Sequence, residues 1–490
     1  MKKWFKKAAP IVLVASMLVG CSFGGDKDAK KNETATLKVM FHDESSFFRQ
    51  YGMLFSALHP NVEIEVVSTQ SLYNRGGEGE KDFDPVKAKQ EFLEKEKPDL
   101  IMLDLNEYET MAADGKLYDL ETLMTRDKFK TEGIVPGMMD YMKELGGGKV
   151  YAMPTSVSSE VMFYNKSLFD KYNIEYPTDQ MNWSEVLQLA KQFPTDGDAK
   201  DRVYGLNLGY NGDLNGFSTM LAGAEGLKYV NPTTKVMTIN TPGWESAVQT
   251  ALDAMKSKAI YVRDESNEMM NNSYEDYLLS NPFTSGRVAM NINGSYYIDE
   301  LKNAKEYVKE EGKVVENWDM VTVPVSAQLP NESSNAWYGS IFGIAKDSPN
   351  ADAAWKFISY ISSEEYARVS SKTMDYNGLP IHTKYVKDDE GRNYAAFYKL
   401  KPSKNDYAEY QKLPKQFNEQ FYGLMSTELK EVQDGKKEIK EALDFLQVKG
   451  EELLATQDPK EEEAATGEAT TGEATTEEAT PSATTETKTE

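Results

Sequence analysis

A single cysteine, Cys21, and three histidines stand in a chain of 490 residues. With no second thiol there is neither a disulfide framework nor a thiolate zinc set, so the body must hold by packing. His42, His59 and His382 are widely separated and have no zinc spacing. A Gly-x-Ser-x-Gly nucleophile elbow is also absent. Gly146-Gly147-Gly148-Lys149 lacks the spacing and the following Ser or Thr of a phosphate loop and reads as a turn entering a strand. The acidic run from Asp196 to Asp201 departs from the calcium loop, which needs Gly at its sixth position and an acidic twelfth, and reads as a turn. No catalytic residue, metal or cofactor is therefore expected. Long apolar runs are missing too: the stretch from Ala8 to Gly20 is shorter than the roughly 20 residues that cross a bilayer.

Positive charge is in deficit. Fifty-five Lys and Arg face 79 Asp and Glu, a net charge of −24. Such a surface repels nucleic acid and anionic lipid. Part of the excess is local, since residues 461–490 hold nine acidic residues against one lysine. What is present is a large, tyrosine-rich body: 40% hydrophobic residues, 28 tyrosines and enough length for two or more domains.

Residues 1–20 combine Lys2, Lys3, Lys6 and Lys7 with an apolar run and small residues, the make-up of a secretory signal. Residues 21–36 are polar and lysine-rich, as in a tether. Residues 457–490 repeat Thr-Gly-Glu-Ala-Thr without large apolar residues, so they cannot offset their ordering entropy and read as a disordered tail. The body opens with Leu37, Val39 and Phe41 alternating with polar residues, a strand signal. Phe47, Phe48, Tyr51, Leu54, Phe55 and Leu58 follow at helical spacing, ended by Pro60. A second alternating run, Val62 to Val66, precedes a helix from Pro85 to Lys97 and a buried strand from Pro98 to Asp104. This β-α-β-α-β order predicts an α/β lobe.

Further strands are expected at 150–153, 161–164, 203–208, 288–292, 321–325 and 340–345. Helices are expected after Thr241-Pro242, with Trp244 on the apolar face, and after Ser348-Pro349, with Trp355 on the apolar face. A terminal helix from Glu428 to Leu454 is expected to break near Asp434-Gly435. Trp183, Trp244 and Trp355 read as packing residues.

Two resemblances extend this reading. Leu18-Val19-Gly20-Cys21 resembles the lipobox of bacterial lipoproteins, which implies cleavage before Cys21 and a diacylglycerol on its thiol. Four stretches, in order, resemble the extracellular solute-binding proteins of bacterial ABC importers, in the branch that includes sugar and oligosaccharide binders. They are Gly148 to Pro154 leading into Val161 to Phe169; Gly286 to Tyr296; Trp337 to Ile344 followed by Ala354 to Ile358; and Asn377-Gly378-Leu379-Pro380. The resemblance implies an α/β, two-lobed, periplasmic-binding-protein-like clamp with crossing hinge strands. The expected lobes are 37–153 plus about 293–340, and 154–292 plus about 341–456. It also implies a monomer anchored at Cys21 on the extracellular face of the cell membrane, delivering a carbohydrate solute to permease subunits.

A sugar offers hydroxyl edges to carboxylates and amides and an apolar face to aromatic rings. In an α/β sheet the ligand crevice lies outside the carboxyl ends of the strands. Candidates are therefore Asp43 and Glu44 after the first strand, Asp104 and Asn106 after the apolar strand, and Ser158 in a wall formed by Ser156 to Glu160. Asp213 in a later loop, Tyr296, Trp337, Tyr338 and Asn377 complete the set, with Tyr376 beside it. An Asp at a strand end also commonly caps the next helix. Two rival readings stand beside the binder: a secreted glycoside hydrolase working through a carboxylate pair, and a structural or sensory envelope lipoprotein without a small ligand.

Overall fold

A computed structural model describes residues 34–73, 85–199, 201–262, 273–372, 378–386, 390–403, 410, 413–414 and 416–455. The signal, Cys21, nearly all of the tether, Tyr376, Asn377 and the acidic tail lie outside the described residues.

Twelve strands build and join two sheets. They are β1 (Ala35–Phe41), β2 (Val62–Ser68), β3 (Leu100–Leu103), β4 (Ala152–Met153), β5 (Ser156–Asn165), β6 (Tyr204–Asn207), β7 (Ile260–Tyr261), β8 (Val288–Gly294), β9 (Trp318–Thr322), β10 (Ala336–Gly339), β11 (Ile341–Ile344) and β12 (Leu379–Pro380). The first sheet has the order β2-β1-β3-β11-β4, and the second β9-β5-β8-β6-β7. The β1–β2 and β1–β3 pairs are parallel, as the β-α-β order requires. Leu37, Val39 and Phe41 are buried on β1, and β3 is apolar on both faces.

Local chemistry accounts for most helix ends. The first helical run covers 44–58, with a π-helical turn at Phe48–Gly52, and ends two residues before Pro60. Thr241 caps helix Pro242–Lys256, whose proline occupies the first turn. The terminal helix breaks where expected: Phe417–Gln433 and Ile439–Ala455 are separated by Asp434 and a left-handed Gly435 at φ 72°. Its start lies eleven residues earlier than the sequence suggests.

The start expected at Ser348-Pro349 is not used, and the helix there is Ala351–Ile361. The Ser348 hydroxyl instead donates to Asp99 (2.6 Å) and accepts from the Asn350 N–H (3.1 Å). Asp99 also accepts from the Lys38 N–H and the Asn350 side chain, so a buried carboxylate holds this connection to β1.

Sheet membership corrects the expected lobe assignment. β9, within the 293–340 segment expected in the first lobe, pairs with β5 in the second sheet. β11, expected in the second lobe, lies between β3 and β4 in the first sheet. Helix Ala351–Ile361 packs its Trp355, Phe357 and Ile358 into the first core with β1 and β3. The reason is packing. Ile341, Phe342 and Ile344 are all buried, and the gap between β3 and β4 pairs both edges of that strand inside the first core. The two C-terminal helices pack in the second core.

Candidate functional site

The carboxyl ends of both sheets meet at one place. β11 runs opposite to β3 with Ile341 facing Leu103, so Ser340, Asp104 and the His42-Asp43 turn stand at the same end of the first sheet. In the second sheet Gly294 at the end of β8 faces Glu160, and β6 runs parallel to β8. The ends of β6 and β8 therefore also point to the crossing half of β5. This is the position at which open α/β sheets bind ligands.

β5 is the floor of the site. Its alternation puts Ser156, Ser158 and Glu160 on one face. Trp337 lies directly across from Ser158, and Gly294 across from Glu160, so both stand over that face. Glu160 and Lys166, on the same edge of β5, donate their N–H groups to the carbonyls of Asn335 and Asn317. Trp337 thus arrives from the β9 flank and Tyr296 from the opposite β8 flank. Their side chains are 50% and 47% exposed, large fractions for rings of this size.

Three glycines keep the face open. A Cβ on Gly294 would stand 3.1 Å from the Tyr296 ring, one on Gly339 would stand 2.8 Å from Ser156 Oγ, and one on Gly378 would stand 2.7 Å from Ser158 Oγ. Gly378 also has φ 91°, which side chains rarely adopt. Ser156 Oγ is buried without a hydrogen-bond partner among the described residues, while the Glu160 carboxylate accepts from Asn335 Nδ2. Two aromatic walls over hydroxyls and a carboxylate form a surface that suits a polyhydroxylated ring.

The crossing is tied to the first lobe through side chains. Tyr51 Oη and Thr155 Oγ1 share a hydrogen bond of 3.2 Å, and Thr155 Oγ1 donates to the Ser340 carbonyl at 3.2 Å. Ser340 itself adopts a left-handed φ of 48° between β10 and β11. That single residue turns the chain from β10, paired with β5, back into the first sheet.

The three aspartate candidates serve as helix caps. Asp43 accepts from the Ser46 N–H at 2.8 Å, Asp213 from the Gly216 N–H at 2.6 Å, and Asp104 forms a reciprocal capping box with Glu107. Asp104 is accessible to solvent, yet desolvation and then the neighbouring Glu107 raise its pKa. Glu44 is exposed and Asn106 is half-buried on the helices that these caps begin.

Asp43 makes a pH prediction. The Ser46 N–H first, then the His42 ring, lowers its pKa from 3.8 to about 2. A carboxyl depressed in the folded state stabilises the protein above its unfolded value, and that contribution is lost as pH falls from about 3.8 to about 2. Asp43→Asn is expected to reduce the pH dependence of unfolding across this window, as read by acid titration of the urea midpoint. An identical acid limb in the variant would refute the assignment.

Tyr338 corrects an expectation. One residue from Trp337 on a strand, it points to the opposite face, where it is 4% exposed and packs edge-on against Tyr141 at 5.6 Å. Burial raises its pKa. Asn377 lies outside the described residues, next to Gly378. Glu160 enters the sequence reading only as the end of an expected wall. Its signal is a lone carboxylate before the apolar run Val161-Met162-Phe163. The turn at 196–202 is closed by N–H groups of Asp201 and Arg202 on the Asp198 carbonyl. Among the described residues, no group of three or more His, Cys, Asp or Glu could hold a metal ion, and no helix is long and apolar enough to cross a membrane.

Known proteins share this architecture. A family described as bacterial extracellular solute-binding protein matches residues 29–368. A putative binding protein of Brucella abortus is 23% identical over 261 residues, covering 52% of this chain and 57% of that protein. The "Multiple sugar-binding protein" of Streptococcus mutans is 22% identical over 260 residues, covering 51% and 56%. The matches thus span little more than half the length of these relatives. The structure of the sugar-binding protein MalE from Xanthomonas citri shares the fold, with a TM-score of 0.57 at 17% identity over 89% of this chain and 100% of that one. A family match over most of the chain, on two α/β sheets whose carboxyl ends face a shared crossing, makes this protein a member of the bacterial extracellular solute-binding protein family.

Proposed function

We propose that this protein captures a sugar or oligosaccharide between its two lobes and delivers it to the permease of an ABC importer. The observation that carries the reading is the pair of half-exposed rings, Trp337 and Tyr296, on opposite flanks of the Ser156-Ser158-Glu160 face. Rings over the apolar face of a pyranose supply contact area at low entropy cost, and hydroxyls and a carboxylate meet its edges. The names of the Streptococcus mutans and Xanthomonas citri proteins agree with a sugar ligand.

Lobe closure supplies the mechanism. Ligand held by the β5 face favours the closed form because only that form adds contacts from the Asp43 and Asp104 ends of the first sheet. Cys21, carrying a diacylglycerol, would hold the monomer at the extracellular face of the membrane, since two acyl chains anchor stably where one does not. Residues 22–34, ahead of β1, would give it reach toward the permease.

A thermal-shift screen of the purified chain against mono- and oligosaccharides tests the reading. A saturable rise in midpoint for one sugar class, without turnover of that sugar, is the expected result. A flat response across the panel, or hydrolysis of the ligand, would refute it.

A further inference from the structure

Tyr296 opens helix Tyr297–Tyr307, and the same face of that helix carries more than the cleft uses. At about 100° per residue, positions 296, 300 and 307 fall within an arc of about 40°. Tyr296, Glu300 and Tyr307 therefore form one stripe. It runs from the cleft for about 16 Å at 1.5 Å per residue. Helix Tyr274–Ser280 packs beside it and adds two more rings. Tyr277 Oη donates to Glu300 Oε1 at 3.2 Å, next to the cleft end. Tyr274 meets the Tyr307 ring edge-on at 5.2 Å, at the far end, and stacks with Tyr277 at 6.0 Å. Tyr274, Tyr277 and Tyr307 are 48%, 46% and 55% exposed.

Packing alone does not require three phenols at such exposure. Their mutual contacts fix the ring planes before any ligand arrives, which lowers the entropy cost of binding. The strip spans two short helices and about 16 Å of length, too small for the roughly 800 Å² per partner that a stable protein–protein contact buries. Its polar member is a half-buried carboxylate, so it disfavours an anionic occupant and suits a neutral, hydroxyl-rich one. Its near end is Tyr296, the ring that already walls the cleft.

We propose that Tyr274, Tyr277, Glu300 and Tyr307 form an outer platform for the distal units of a neutral oligosaccharide whose first units lie between Trp337 and Tyr296. This rests on the carbohydrate reading of the cleft and deepens it: the solute is a chain of several sugar units, and the platform sets a preference for length.

The test is calorimetry with maltose-to-maltoheptaose and cellobiose-to-cellohexaose series, on the wild-type chain and on the double variant Tyr274→Ala/Tyr307→Ala. In the series that binds, wild-type affinity is expected to rise with length. The double variant should lose at least tenfold for the longest member and retain the disaccharide affinity, which also reports that it is folded. Tyr274→Phe/Tyr307→Phe keeps the rings and should restore most of the loss. An equal loss at every length, or no loss at any, overturns the platform while leaving the cleft reading in place. Failure of the wild-type chain to bind any member of either series, with a flat response in the wider sugar panel, overturns both.

Discussion

Trp337→Ala is expected to weaken sugar affinity at least tenfold while leaving the thermal midpoint nearly unchanged. The two halves of that result come from one fact, the 50% exposure of the side chain. A tryptophan buries about 150–250 Å² when fully covered, so roughly 100 Å² of this ring is free to be covered by ligand. At about 25 cal/mol per Å² that area corresponds to about 2.5 kcal/mol before ordering costs. A tenfold loss needs only about 1.4 kcal/mol, which leaves room for those costs. Stability should barely respond, because substitutions at exposed positions usually stay within about 0.5 kcal/mol. Trp337→Phe should recover part of the affinity by restoring a flat ring. Calorimetry with the sugar found by the thermal-shift screen decides the matter, and unchanged affinity in the alanine variant would remove Trp337 from the site.

Trp355→Ala should behave in the opposite way. Its side chain is 1% exposed, its indole N–H donates to Asp127 at 2.8 Å, and its ring meets Phe129 edge-on at 5.4 Å. Truncating a fully buried tryptophan costs about 3–5 kcal/mol, through lost transfer energy and the cavity left behind. Asp127 keeps its pair with Arg126, so the lost hydrogen bond is the smaller part. Urea denaturation should show a much lower midpoint with a similar slope. The fraction that remains folded should bind sugar with wild-type affinity, because the Trp355 side chain contacts Asp127 and Phe129, neither of which is a candidate site residue. A midpoint within error of the wild type would contradict this account of the first core.

Those two tryptophans show what could be read in advance. Trp355 lies on a helical apolar stripe with Ala354 and Ile358, and that periodicity marks it as core before any coordinates. Trp337 precedes a short apolar strand, and its neighbour Tyr338 has the same chemistry. Choosing between them requires knowing the face of the strand that each occupies. The register of β10 against β5 supplies that, and it sends one ring to the exposed face that carries Ser158 and the other to the core. The aspartates repeat the lesson. Asp43, Asp104 and Asp213 stand at the ends where a crevice is expected, and the same positions make them helix caps. Capping and ligand contact draw on the same lone pairs, so residue type does not separate the two roles.

Local chemistry by itself determined the alternating strands, the capped and proline-started helices, the break at Asp434-Gly435 and the α/β class. Each depends on residues close together along the chain. Only the tertiary structure decided which sheet β9 and β11 enter, which side of β5 the aromatic walls occupy, and how Tyr274 and Tyr277 come to lie beside Tyr307. Those facts depend on pairings between segments tens to hundreds of residues apart. A strand apolar on both faces carries no mark of its partner until the gap it fills exists.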